Sequence, residues 1–121
     1  MDLAYLNDLE ANDFYEAIME LPDSQIVYDI RIDNNLVHGC QSKVWLALIE
    51  DKIVFDSDSM FVKGLITAVT SQLESIEEMK NVSVKDYEYI TLDKITYQRI
   101  KGIDAFLNRL NALATINNSR G

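Results

Sequence analysis

Six apolar residues in succession, Val44-Trp45-Leu46-Ala47-Leu48-Ile49, constrain this chain more than any other segment. In a strand, alternate side chains point to opposite faces, so Val44, Leu46 and Leu48 share one face and Trp45, Ala47 and Ile49 the other. Neither face carries a polar group, and both therefore need cover. The run is far too short to span a bilayer. Glu50-Asp51 makes a tight turn after it, and Lys52-Ile53-Val54-Phe55 returns as a second strand. Upstream, Leu36-Val37-His38 makes a short strand that Gly39-Cys40-Gln41-Ser42 interrupts. The expectation is a small antiparallel sheet packed by helices, an α/β chain of the α+β type.

Helical periods flank the sheet on both sides. Phe14, Ala17, Ile18 and Leu21 recur at helical spacing, and Pro22 marks the end of that helix. Leu3, Leu6 and Leu9 predict an earlier turn or two, and Asp33-Asn34-Asn35 is turn-forming. After the sheet, Phe61, Leu65, Ala68, Val69 and Leu73 follow the 3.6 period, with Asp58 or Ser59 as N-cap. Ser75 and Glu78 have capping-box spacing and start a new short helix; Ser83 to Asp86 repeats a weaker version. A final helix places Ile100, Ile103, Leu107, Leu110 and Ala114 on one face, and the tail from Asn117 to Gly121 is expected to fray. With no repeat or linker, one domain over residues 1–121 is expected.

The charge excludes some functions. Residues 1–35 hold nine acidic residues against Arg31 alone, while the rest of the chain holds eleven acidic and ten basic ones, for a total of −9. No stripe of Lys and Arg opposes that field, so nucleic acid is excluded as a partner. The stretch MDLAYLNDLE lacks the basic region and apolar run of a secretion signal, and a cytoplasmic location without membrane attachment is the expectation. One cysteine cannot form an internal disulfide, and one cysteine with one histidine cannot build a closed zinc site. No metal and no cofactor is expected: neither a pyridoxal-phosphate lysine motif nor a nucleotide loop stands out.

Cys40 is the residue with chemistry to explain. An isolated cysteine is most often a buried apolar side chain. Here it sits between two extended segments, after a glycine, where strands fix the root of a loop and leave its tip free to move. His38 lies two residues away and would share a strand face with Cys40, yet the chain turns at Gly39 and no orienting carboxylate is identifiable. Asp56-Ser57-Asp58 is better explained as a turn and helix cap than as a calcium loop, which requires a glycine and a terminal glutamate.

The run from Asn35 to Trp45, N-L-V-H-G-C-Q-S-K-V-W, resembles the signature of the SufE family. Asp56 to Leu65, D-S-D-S-M-F-V-K-G-L, resembles that family's segment entering its long helix. Ile95 to Ile103, I-T-Y-Q-R-I-K-G-I, is similar to its L-T-P-S-R-x-x-G-L element, with Tyr97 and Gln98 in place of the proline and serine. The resemblance covers about residues 12–114, and the region before the signature is shorter than is typical. It implies a SufE/IscU-like fold and a carrier that takes persulfide sulfur from a SufS-like cysteine desulfurase, stimulates that enzyme and supplies a SufBCD-like scaffold. A homodimer is a further candidate assembly. The matched acceptor is Cys40, the matched arginine near its loop is Arg99, and the matched positions at the helix start are Asp58 and Lys63. An arginine there would favour the Cys40 thiolate, pair with Asp58 or bind the desulfurase. The alternative is an adaptor that docks on a desulfurase or scaffold without carrying sulfur.

Overall fold

The computed structural model describes residues 3–21 and 29–120, the last four by backbone alone. Helix α1 (Ala11–Met19) precedes a hairpin of β1 (Val44–Ile49) and β2 (Lys52–Ser57), followed by α2 (Met60–Thr70), α3 (Ile76–Asn81) and α4 (Tyr97–Arg120). Short 3-10 turns occupy Ala4–Asp8, Asp33–Asn35 and Val84–Asp86. The α+β expectation holds: a small antiparallel sheet with helices packed against it.

The hairpin pairs Val44 with Ser57 and Ile49 with Lys52, so β2 runs two residues past Phe55, the expected end. Leu36 contributes only an isolated bridge to Trp45. The expected third strand shrinks to that point because the chain turns away at His38 and Gly39.

The two faces of β1 find different cover. Val44, Leu46 and Leu48 join the main core with Phe14 and Ile18 of α1, Leu65 and Ile66 of α2, and Ile103, Phe106 and Leu110 of α4. The opposite face is covered by Ile30 and Leu36 from the segment before the sheet, which gather with Trp45, Val54, Ala47 and Ile49. The guanidinium of Arg31 lies 4.6 Å over the Trp45 ring. A single layer of irregular chain, rather than a helix, completes that side.

Sequence signals set most helix starts. The Ser59 hydroxyl accepts the Val62 N–H at 3.3 Å, which identifies Ser59 as the cap of α2. Helix α2 stops at Thr70, short of Leu73. Ser75 caps α3 by accepting the Glu78 N–H at 3.2 Å, while the Glu78 carboxylate accepts from Glu74 instead of closing the box on Ser75. Helix α1 ends at Met19; Pro22 lies outside the described residues. Helix α4 runs to Arg120. No helix among the described residues is long and apolar enough to cross a membrane.

Candidate functional site

Cys40 belongs to a loop, residues 38–43, whose ends are fastened together. The Val37 N–H donates to the Val44 carbonyl at 2.8 Å, closing the loop at its root. On the other side the Lys43 N–H donates to Asp58 Oδ1 at 3.1 Å, and the Asp58 N–H donates back to the Lys43 carbonyl at 3.2 Å. The Ser57 hydroxyl donates to the same carbonyl at 2.9 Å and accepts the Ser59 N–H at 3.1 Å. The loop root is thereby tied to β1 and to the start of α2, while its tip has no strand partner.

The tip folds onto α4 at two small residues. Gly39 has φ +98°, a conformation that L side chains rarely adopt, and a Cβ there would come 3.2 Å from the Ala105 Cβ. Beside it, the half-buried Cys40 thiol donates to the Gly102 carbonyl at 3.2 Å. A Cβ on Gly102 would sit 3.6 Å from Cys40 Sγ and 3.7 Å from its Cβ, in ordinary contact with the thiol.

Burial pushes the Cys40 thiol up from its ordinary value. The proton it retains is the one it donates to Gly102. Because the thiolate is the nucleophile, this closed arrangement holds Cys40 in its unreactive form.

A cavity of about 260 Å³ opens beside the sulfur. Gln41 and Ser42 of the loop line it, with Val62 of α2 and Gln98, Arg99, Gly102 and Ile103 of α4. Two other hollows, of about 350 and 500 Å³, lie away from the cysteine and include none of the loop residues.

Arg99 and Cys40 therefore meet at one cavity, although they come from segments far apart in the chain. Arg99 occupies the first turn of α4, where its N–H reaches Thr96 Oγ1 at 3.4 Å. Its guanidinium lies over the Phe61 ring, 4.5 Å from the centroid, and pairs with no carboxylate among the described residues. No Arg99–Asp58 pair forms among the described residues, and Asp58 Oδ1 accepts the Lys43 N–H. In the closed loop burial is what moves the Cys40 thiol.

The remaining sequence candidates have structural roles. His38 is exposed and takes no part in the cavity lining. Lys63 Nζ lies 3.5 Å from Asp56 Oδ1, and Asp56 Oδ2 accepts from Arg31 Nε at 2.8 Å. Desolvation pushes the Asp56 carboxyl up, but the bonds from Arg31 and the Ser57 N–H, with the Lys63 and Arg31 charges, outweigh it and hold the group below its ordinary value.

Gly102, Gln98 and Phe61 stand inside the matched motifs, yet the sequence gives none of them a role at the site. Phe61 obeys the core period and looks like packing alone. Gly102 did leave a signal, since a glycine inside a helix is destabilising by roughly 0.5–1 kcal/mol relative to alanine, although a Cβ there would meet Cys40 only at ordinary contact distance.

Tyr97 is the first residue of α4, a position that also suits proline. The SufE family model, described as the Fe-S metabolism associated domain, matches residues 5–114, which include the whole loop and every residue lining the cavity, and the chain belongs to that family.

Proposed function

We propose that this protein is a sulfur carrier that accepts persulfide sulfur on Cys40 from a cysteine desulfurase and passes it to iron–sulfur cluster assembly on a SufBCD-like scaffold. The observation that carries the proposal is the placement of Cys40: at the tip of a loop with a fixed root, its sulfur tucked against Gly102 beside a cavity with room for more atoms. Association of the family with Fe–S metabolism supplies the context.

The chemistry needs one nucleophile. On docking, the tip swings out of its seat, Cys40 loses its proton to solvent, and the thiolate attacks the outer sulfur of the donor's persulfide. The donor S–S bond breaks, its cysteine leaves as a thiolate, and the outer sulfur becomes the end of a new S–S bond on Cys40. One S–S bond replaces another, so no oxidant is consumed. A lone cysteine suits this task because no second thiol in the chain can capture the persulfide. Arg99 is the supporting charge at the cavity, and a cytoplasmic setting, where thiols stay reduced, fits the chemistry.

Incubation with a SufS-like desulfurase and cysteine, followed by intact mass, tests the proposal. Wild type is expected to gain one sulfur atom and C40S none. Loading that persists in C40S removes Cys40 from the reaction. If C40S instead binds and stimulates the desulfurase as well as wild type does, the protein is an adaptor.

A further inference from the structure

Two arginines of this protein lie over aromatic rings, and they differ in one respect. Arg31 lies over Trp45 and also donates to Asp56, so its charge is matched and part of its hydrogen-bonding edge is used. Arg99 lies over Phe61 with no carboxylate beside it among the described residues. A guanidinium carries five N–H donors around its edge and none on its face. An aromatic partner leaves the positive charge unmatched, whereas a carboxylate partner takes up N–H donors and cancels the charge. Phe61 thus holds Arg99 in place without consuming what Arg99 has to offer.

The ring is well fixed for that purpose. Phe61 is 3% exposed and lies in the first turn of α2, one residue from Val62, whose N–H bonds the Ser59 cap. Its ring also stacks with Tyr15 of α1, centroids 4.6 Å apart and planes at 12°. Helices α1, α2 and α4 meet in this one stack. Besides Cys40, Arg99 is the only ionisable side chain among the residues that line the cavity.

We propose that Phe61 is a positioning residue for sulfur carriage: its ring holds the uncompensated Arg99 guanidinium at the Cys40 cavity, where the N–H edge meets the anionic terminal sulfur of the loaded cysteine. A persulfide is more acidic than the thiol it replaces, so loading places an anion where the resting site holds a neutral S–H donor. The resting thiol is satisfied by the Gly102 carbonyl; the loaded sulfur needs donors, and Arg99 is the charged one at hand. This role deepens the carrier reading of Cys40 and rests on it.

The test loads Cys40 chemically, independent of any enzyme. Inorganic disulfide anion, HS–S⁻, reacts with the Cys40 thiolate to give Cys40–S–S⁻ and HS⁻, and the loaded protein is titrated by the near-ultraviolet absorbance of the persulfide anion. An opposite charge close by lowers an acid's pKa by about one unit or more, so R99A is expected to raise the persulfide pKa by about that much. F61L, which keeps apolar volume and removes the ring, is expected to raise it nearly as far while Arg99 remains. The double variant should go no further than R99A alone, because both changes act through one guanidinium. R109A, which removes a helical arginine outside the cavity, should titrate as wild type. Thermal melts verify that each variant is folded, and F61M carries the same test should F61L not fold.

A wild-type persulfide pKa in F61L alongside a raised one in R99A overturns the role of Phe61. Wild-type values in both overturn the contact itself. Either result leaves desulfurase loading of Cys40 standing, whereas failure of enzymatic loading with intact titration shifts defeats the carrier function and not the geometry.

Discussion

The Cys40 thiol donates its proton to the carbonyl of Gly102, 62 residues further along the chain, at 3.2 Å. Only the protonated thiol can make that bond. The same proton that keeps Cys40 unreactive therefore also holds the loop tip on α4, so reactivity and release are coupled through one hydrogen.

Removing the donor should loosen the tip without unfolding the protein. C40S retains an O–H donor and C40A does not. Amide hydrogen exchange of residues 38–43 is expected to be about twofold to fivefold faster in C40A than in C40S, in keeping with a net bond of ~0.5–1 kcal/mol. Equal exchange in the two variants would show that packing alone seats the loop.

The raised thiol has a pH signature. In the free protein the alkylation of Cys40 by iodoacetamide should be slow at neutral pH and climb with a midpoint above that of an unstructured thiol peptide. The sign for stability follows. A group with a raised folded-state value contributes its full stabilisation below the unfolded thiol value and loses it as pH rises through the folded one. Urea melts of wild type and C40S should therefore converge on the alkaline side, and a constant difference across that window would argue against a buried thiol.

Gly39 is strained for any other residue. At φ +98°, with the Ala105 Cβ 3.2 Å from where a Cβ would lie, G39A is expected to lose about 1–2 kcal/mol of stability, or to release the tip and thereby avoid the loss. Thermal melting and the Cys40 alkylation rate, measured together, separate these outcomes: a lowered melting temperature with slow alkylation signals strain, and faster alkylation at an unchanged melting temperature signals release.

At the other end of the hairpin, Glu50 and Asp51 both have positive φ, 54° and 63°. Two-residue hairpin turns of this shape favour Asn-Gly, and carrying the two bulkier residues there is unfavourable. The double substitution E50N/D51G is expected to raise stability by about 0.5–1.5 kcal/mol while leaving Cys40 alkylation unchanged, since the turn lies at the opposite end of the sheet from the loop. Urea denaturation midpoints measure the gain.

Asp56 links the outer face of the sheet to α2 by accepting from Arg31 and lying near Lys63. Its carboxyl is held below its ordinary value, so the associated stability is present above the unfolded carboxylate range and is lost as pH falls through the lower folded value. D56N should flatten the acid limb of the stability profile, by no more than about 1 kcal/mol because the pair is partly exposed. An unchanged acid limb would mean that solvent screens the pair completely.

Periodicity and local chemistry determined a large part of this protein. The uninterrupted apolar run made β1 a strand with two faces to cover, Ser59 and Ser75 fixed two helix starts, and the G-C-Q-S segment singled out Cys40 as a loop residue. These signals are local, because strand alternation, helix period and capping act over a few neighbouring residues. What covers each face, and what Cys40 touches, were decided only by the tertiary structure. An apolar stripe specifies that a side turns inward but not which element it meets: Ile30 and Leu36, from irregular chain, cover Trp45. The Asp58 carboxylate accepts the Lys43 amide N–H, and Arg99 lies over Phe61 instead of pairing with Asp58. The bond from Cys40 to Gly102 joins a loop to a helix that share no local pattern. Contacts of that kind depend on how helices seat against the sheet, and the shape of the packed interior, rather than the sequence around either residue, brings them together.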